Sequence, residues 1–266
     1  MKRLILLILP FFVAANANAY EITYAADLYR FGYKEFDDAG VLLDREDGFV
    51  PGAKFSVRKN INHLILNGRA AVYGGSVDYD GQTQVGTPFQ TTTDTNLFHF
   101  GADLGYSFKH FDLYGTATYK LWERNILPGK DVNGGSVSGL KEDYSWWEFG
   151  VKMIKTISAE TNNNKLRLGA EIFTIVQPEL DVHLLGFDTA KLEMASKRGY
   201  RLTADHIWPM SQELSFALGT YYEFYEFGRS KNVQLTVNGT PSGPQIYEPK
   251  SETSSWGFNL SATQRF

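Results

Sequence analysis

Residues 254–266 read SSWGFNLSATQRF, and their alternate positions separate into two kinds. Trp256, Phe258, Leu260, Ala262 and Phe266 form one row, interrupted only by Gln264, while Ser255, Gly257, Asn259, Ser261, Thr263 and Arg265 form the other. A period of two is a strand with successive side chains on opposite faces. The polar row consists of small residues and one charge, and the chain stops on an aromatic ring.

The same alternation recurs upstream. Tyr20, Ile22, Tyr24, Ala26 and Leu28 oppose Glu21, Thr23, Ala25 and Asp27 in a first strand reaching about Phe36, whose phase blurs after Tyr29. An acidic, turn-rich stretch follows from Asp37 to Val50, and Pro51 and Gly52 open the second strand, with Ala53, Phe55 and Val57 against Lys54, Ser56 and Arg58. A third strand carries Leu64, Leu66, Gly68, Ala70 and Val72, then gives way at Gly74 and Gly75 to a Thr-rich loop ending near Asn96. The fourth, Phe98 to Phe108, is the cleanest; a tight turn at Lys109 and His110 leads to a fifth, Phe111 to Leu121. Trp147 to Met153, Leu166 to Ile172, Tyr200 to Ala204 and Leu214 to Phe224 supply four more, with turn signals at Asn162-Asn163-Asn164 and a break at Pro178. Asn238-Gly239 marks a tight hairpin in the last long connection. Ten strands with alternating short and long connections predict an all-β, antiparallel transmembrane β-barrel, with eight or twelve strands as alternatives. Outer-membrane barrels have short periplasmic turns and long extracellular loops, and an even count puts both termini in the periplasm.

The chemistry of the rows decides which face looks outward. The apolar rows are continuous and aromatic-rich, as lipid contact requires; the others mix Gly, Ser, Thr and Ala with charges of both signs. A terminal strand ending in Phe266 resembles the last strand of Gram-negative outer-membrane β-barrels. That resemblance implies outer-membrane lipids as neighbours and the barrel-assembly machinery as a partner engaging the strand that ends in Phe266. Trp146, Trp147, Trp208 and Trp256 fall near predicted strand ends, where interfacial girdles form.

Residues 1–19 read as a secretory signal peptide: Lys2 and Arg3, the apolar run Leu4 to Val13, then the small-x-small site Ala17-Asn18-Ala19. That run is well short of the roughly 20 residues of a spanning helix. Two of the 26 basic residues and none of the 30 acidic ones lie in residues 1–19, so removal of that segment takes the formal charge from −4 to −6 and leaves residues 20–266 as the barrel domain. There is no basic surplus to suggest nucleic acid. With no cysteine, neither disulfides nor thiolate metal sites are available, and sheet closure must supply the stability. No Walker loop, dinucleotide fold or zinc motif is present, so no cofactor or metal is expected.

With the polar rows inward, the lumen collects Asp27, Arg58, Arg69, Asp103, Lys120, Glu148, Lys152, Arg167, Glu171, Arg201, Asp205, Glu223 and Arg265. Opposite charges across a narrow bore pair, because an isolated buried charge is very costly. Ten strands lie just above the eight-stranded size that side chains fill. The favoured reading is a plug of ion pairs, and the alternative is a narrow channel.

One catalytic layout is available. Asp78-Tyr79-Asp80 after the third strand and Asp181-Val182-His183 after the seventh resemble the arrangement of the omptins, outer-membrane endoproteases. The resemblance implies a water polarised by His183, oriented by Asp181, and held on its far side by Asp78 and Asp80. Unbroken pleats put Asp78 and Asp80 outward but Asp181 and His183 inward, so the pairs converge only if Gly74 and Gly75 form a bulge. The plainer reading is solvated rim acids and a rim histidine. Asp205-His206 is a weaker pair, since adjacent strand residues point to opposite faces. Asp37, Asp38, Asp44, Glu46 and Asp47 read as solvated loop charge whose spacing does not fit an EF-hand. The expected function is a structural or surface-interaction protein whose loops meet an unspecified extracellular ligand, with an omptin-like endoprotease and a narrow channel as alternatives.

Overall fold

The computed structural model describes residues 20–83, 86–159 and 163–266, so the expected signal segment and part of the Asn162 turn lie outside the described residues. Ten long strands carry the fold: β1 (Tyr20–Phe36), β2 (Leu42–Ile61), β3 (Leu64–Gln82), β4 (Pro88–Ser107), β5 (Asp112–Ile126), β8 (Leu140–Ser158), β9 (Lys165–His183), β11 (Arg198–Pro209), β12 (Leu214–Phe227) and β15 (Lys250–Arg265). Three short hairpin or edge pieces decorate one end: β6 (Gly129–Lys130) with β7 (Ser136–Val137), β10 (Ala190–Glu193) against β9, and β13 (Val233–Val237) with β14 (Thr240–Ile246).

Every long strand pairs antiparallel with two neighbours, and the β8–β9 and β1–β15 ladders close the sheet into a barrel. At the seam, the backbones of Tyr20 and Phe266 exchange hydrogen bonds of 3.0 and 3.3 Å, and their rings stack at 4.8 Å. Closure leaves neither edge of the ten-stranded sheet unpaired, the requirement for crossing a bilayer with strands. At one end the connections are turns of a few residues, as at Asn62, whose φ of 56° is the left-handed conformation that asparagine tolerates. At the other end stand the long connections. Asn238 and Gly239 both have positive φ, at 49° and 76°, which is the backbone a two-residue hairpin turn demands.

The expected outward rows are outward. Tyr24, Leu28, Phe55, Leu66, Phe100, Leu104, Phe149, Val151, Leu168, Leu202, Leu218, Phe258 and Leu260 are exposed, forming a girdle of apolar side chains around the barrel. An apolar belt of this size on a protein exterior marks a lipid-facing surface. Trp147 and Trp256 lie on it, but Trp146 faces the lumen and is fully buried, so it belongs to no girdle.

The strands run far past this belt. β2 begins at Leu42 rather than Pro51, so most of the acidic stretch is strand, and the Gly74 to Asn96 segment is a strand hairpin rather than a loop. Beyond the belt the apolar residues change sides. β1 turns Tyr29, Phe31 and Tyr33 inward, β3 turns Val77 and Tyr79, β5 turns Trp122 and Ile126, and β12 turns Tyr225 and Phe227. The pleat itself is unbroken along these strands; water now lies outside and a dry interior inside.

Candidate functional site

The lumen holds this protein's unusual chemistry, in three levels. At the short-turn mouth, inter-strand pairs line the wall: Arg265 with Glu21 at 2.8 Å, Arg167 with Asp205 at 2.9 Å and Arg58 with Asp112 at 3.4 Å. Above them Asp103 is shared by Lys152 at 2.7 Å and Arg69 at 3.1 Å, and Asp27 pairs with Lys54 while accepting a 3.0 Å hydrogen bond from Tyr73. Gly52 makes that last bond feasible, because a Cβ there would meet the Tyr73 ring at 2.1 Å. At mid-height Lys120 bridges Glu148 (2.8 Å) and Glu223 (2.7 Å), and Arg201 holds Glu171 at 2.7 Å while also reaching Glu148 and Glu223. All thirteen expected lumen charges are therefore in ion pairs, joined by Glu21, Lys54 and Asp112.

The third level lies above the belt and was not expected. Phe31, Tyr33, Trp122, Tyr144, Trp146 and Phe227 are each at most 1 % exposed and pack across the bore, with Trp122 stacked on Tyr144 at 4.6 Å and Trp146 edge-on to Phe227 at 5.1 Å. Arg124 sits among them, bonding Glu142 at 2.7 Å, Glu46 at 2.8 Å and Glu35 at 3.0 Å, with Asp44 at 3.5 Å. Asp44 and Glu46 are thus buried lumen groups, not solvated loop acids. Asp47 does face outward, paired with Arg30 at 2.7 Å. Glu248, from the loop after β14, receives the Tyr144 hydroxyl at 2.8 Å and lies 3.1 Å from that of Tyr33.

Four carboxyls share one guanidinium here, and Glu248 adjoins them through the tyrosine hydroxyls. The Tyr33 hydroxyl is also 2.9 Å from Glu35, so Glu35, Glu142 and Glu248 are drawn close together around two tyrosines. Consistently, burial and then the charge of Glu35 push Asp44 and Glu248 well above the usual carboxylate range, and burial raises Glu142 against the pull of Arg124.

The residues of the omptin-like layout are placed differently from the expectation. β3 keeps its pleat through Gly74 and Gly75, with Gly74 opposite Asn96 and Gly75 opposite Thr95, so Asp78 and Asp80 face outward, and Asp80 is bonded by Arg45 at 2.8 Å. The irregularity occurs on β9 instead. Gln177 adopts φ 51°, the register with β8 shifts between Ser145 and Trp147, and Leu180 and Val182 become the buried residues. Asp181 and His183 consequently face outward, not inward: His183 Nε2 lies 2.9 Å from Asp143, and Lys191 holds Asp181 at 3.1 Å. Between β3 and β9 stand β4, β5 and β8 on one side and five strands on the other. Two outward pairs that far apart on a cylinder do not share a water. Asp205 and His206 also diverge, Asp205 into the lumen and His206 toward Trp208, 4.6 Å away.

The barrel can be compared with solved structures. The outer membrane protease OmpT from Escherichia coli aligns over 94% of this chain and 97% of its own, with a TM-score of 0.59 at 9% identity. The translocator domain of the autotransporter NalP from Neisseria meningitidis aligns over 95% and 90% with a TM-score of 0.48 at 8% identity, and Neisserial surface protein A over 92% and 97% with 0.36 at 12% identity. No protein-family model and no curated protein sequence matches the chain. The fold is that of a Gram-negative outer-membrane β-barrel, similar to OmpT in architecture.

Proposed function

We propose that this protein is a non-conducting, non-enzymatic outer-membrane barrel that holds a rigid platform of surface loops above the bilayer, with its short turns and both termini in the periplasm. The observation that carries this reading is the plug of Trp122, Tyr144, Trp146 and Arg124, each at most 1 % exposed and packed across the bore above the lipid belt. A standing aqueous pore needs a wet bore at its narrowest level, whereas these side chains are buried. An endoprotease of the omptin layout needs its acidic pairs to converge, and Asp78, Asp80, Asp181 and His183 are on outer faces of distant strands.

The strand extensions and the β13–β14 hairpin support a presenting role, since they stiffen the long connections. At the tips of that end Leu185 is 87 % exposed and Val132 69 %. Exposed apolar side chains on a stiff rim are suited to gripping an extracellular partner. Phe266, stacked on Tyr20 at the seam, is the terminal residue the assembly machinery would engage.

The test is planar-bilayer recording after verified insertion. The wild-type protein is expected to be silent, and Trp122→Ala/Trp146→Ala to show conductance steps as the plug loosens. Stepwise conductance from the wild-type barrel overturns the reading.

A further inference from the structure

We propose that the short-turn half of the lumen is a binding site for a small organic anion, its charged group held by Lys54, Arg69, Lys152 and Arg201 and its apolar part lodged under Phe31 and Leu97. Below the plug lies a cavity of about 430 Å³, running from Glu21, Ser215 and Arg265 at the mouth to Tyr29, Phe31 and Leu97 at its roof. That is the size range of small-molecule sites, which are concave, partly apolar and furnished with a few convergent polar groups.

The charges of the wall are sorted by depth. The Lys54 side chain is 32 % exposed and its partner Asp27 not at all; Arg69 is 26 % exposed and Asp103 not at all; Arg201 is 15 % exposed and Glu148 3 %. Asp27, Asp103 and Glu148 stand behind the cavity lining while their partners Lys54, Arg69, Lys152 and Arg201 belong to it; Glu171 and Glu223 also line it, at 5 % and 11 % exposure, and Glu21 and Asp205 stand nearer the mouth. A formally near-balanced ring therefore presents positive charge to whatever enters, and low-dielectric walls focus such a field. Two further groups add to it. Lys165 lines the cavity with no ion pair among the described residues. His99 also lines it, and its Nε2 is shielded from solvent with no hydrogen-bond partner among the described residues. A shielded nitrogen without a partner is costly unless something bonds it.

The roof gives the second half of the specificity. Phe31 and Leu97 close the cavity with apolar surface just above the cations, so an anion with a compact ring or short chain fits better than a bare inorganic one. The site rests on the roof being sealed, which the conductance recording reads separately from ligand capture.

The chain has no cysteine, so a single introduced thiol reports on the cavity. Ala25→Cys sits on the inner wall of β1 beside Lys54, its register partner on β2. In nanodiscs, a sulfonate-bearing methanethiosulfonate is expected to modify this thiol at least ten times faster than a trimethylammonium-bearing one, with the ratio falling as salt is raised. Phenyl phosphate is expected to protect the thiol at concentrations at least tenfold below those needed with inorganic phosphate or phenol. The charge-neutralised pair Asp27→Asn/Lys54→Met should reduce that protection several-fold while the barrel keeps its heat-modifiable migration. If Ala25→Cys fails to fold, Thr23→Cys on the same wall serves as the reporter. Equal rates for the two reagents, faster labelling by the cation, equal protection by phenol, equal protection by inorganic phosphate, or no protection by any of the three overturns the proposal.

Discussion

Arg124→Met removes the positive charge from the upper plug while keeping the length of its stem. The guanidinium makes three charge-assisted bonds, to Glu142 at 2.7 Å, Glu46 at 2.8 Å and Glu35 at 3.0 Å, in a setting where the arginine is 1 % exposed. Hydrogen bonds to charged groups contribute roughly 1.5–3 kcal/mol each, which sets a gross loss of roughly 4.5–9 kcal/mol. The orphaned carboxylates recover part of this by taking up protons, at about 1.36 kcal/mol per pH unit that each must be titrated. Breaking a buried ion pair by removing one partner costs about 3–5 kcal/mol net, and that is the expected loss at pH 8. At pH 5 the protons come more cheaply, so the loss should shrink to about half. Urea unfolding of the refolded barrel, followed by tryptophan fluorescence, measures both numbers. A variant as stable as wild type at pH 8, or equally destabilised at both pH values, would refute the account of Arg124 as the counter-charge of a sealed acidic cluster.

Burial raises the carboxyls of Asp44, Glu142 and Glu248 on folding, so their contribution is full below the ordinary carboxylate values of 3.8 and 4.5 and is lost as pH climbs through the raised ones. Glu248→Gln removes one such loss and is expected to raise the urea midpoint at pH 8 but not at pH 4; equal destabilisation at both would contradict it. Gln177→Gly should leave stability unchanged or raise it by up to ~1 kcal/mol, because φ 51° is free for glycine, whereas Gln177→Val should lower it by a comparable amount or more in thermal unfolding. A fluorogenic peptide with basic residues is expected to remain intact with the wild-type protein and with His183→Ala alike. Cleavage that disappears on His183→Ala would restore the endoprotease reading.

The sequence by itself determined the barrel where it meets lipid. Rows such as Phe98, Phe100, Leu104 and Tyr106, or Trp256, Phe258 and Leu260, alternate against small and charged residues because one side is hydrocarbon and the other wet, and that contrast is what a period of two records. The inward charges of the same strands were legible for the same reason, and every one of them found a partner. Above the bilayer the contrast reverses: Tyr29, Phe31 and Tyr33 follow Tyr24 and Leu28 on the opposite face of one unbroken strand, and Trp146 and Trp147 stand back to back at the crossover. A pattern of alternation states that two sides differ but not which one is dry, and here the answer depends on height along the barrel. Only the tertiary structure could decide it, because the dry side is made by Trp122, Tyr144 and Phe227 arriving from strands far apart in the chain. The burial of Asp44 and Glu46 depends likewise on Arg124, contributed by β5 some 80 residues later. The outward turn of Asp181 and His183 depends on one left-handed residue, Gln177, which composition does not mark and which asparagine or glycine would have announced.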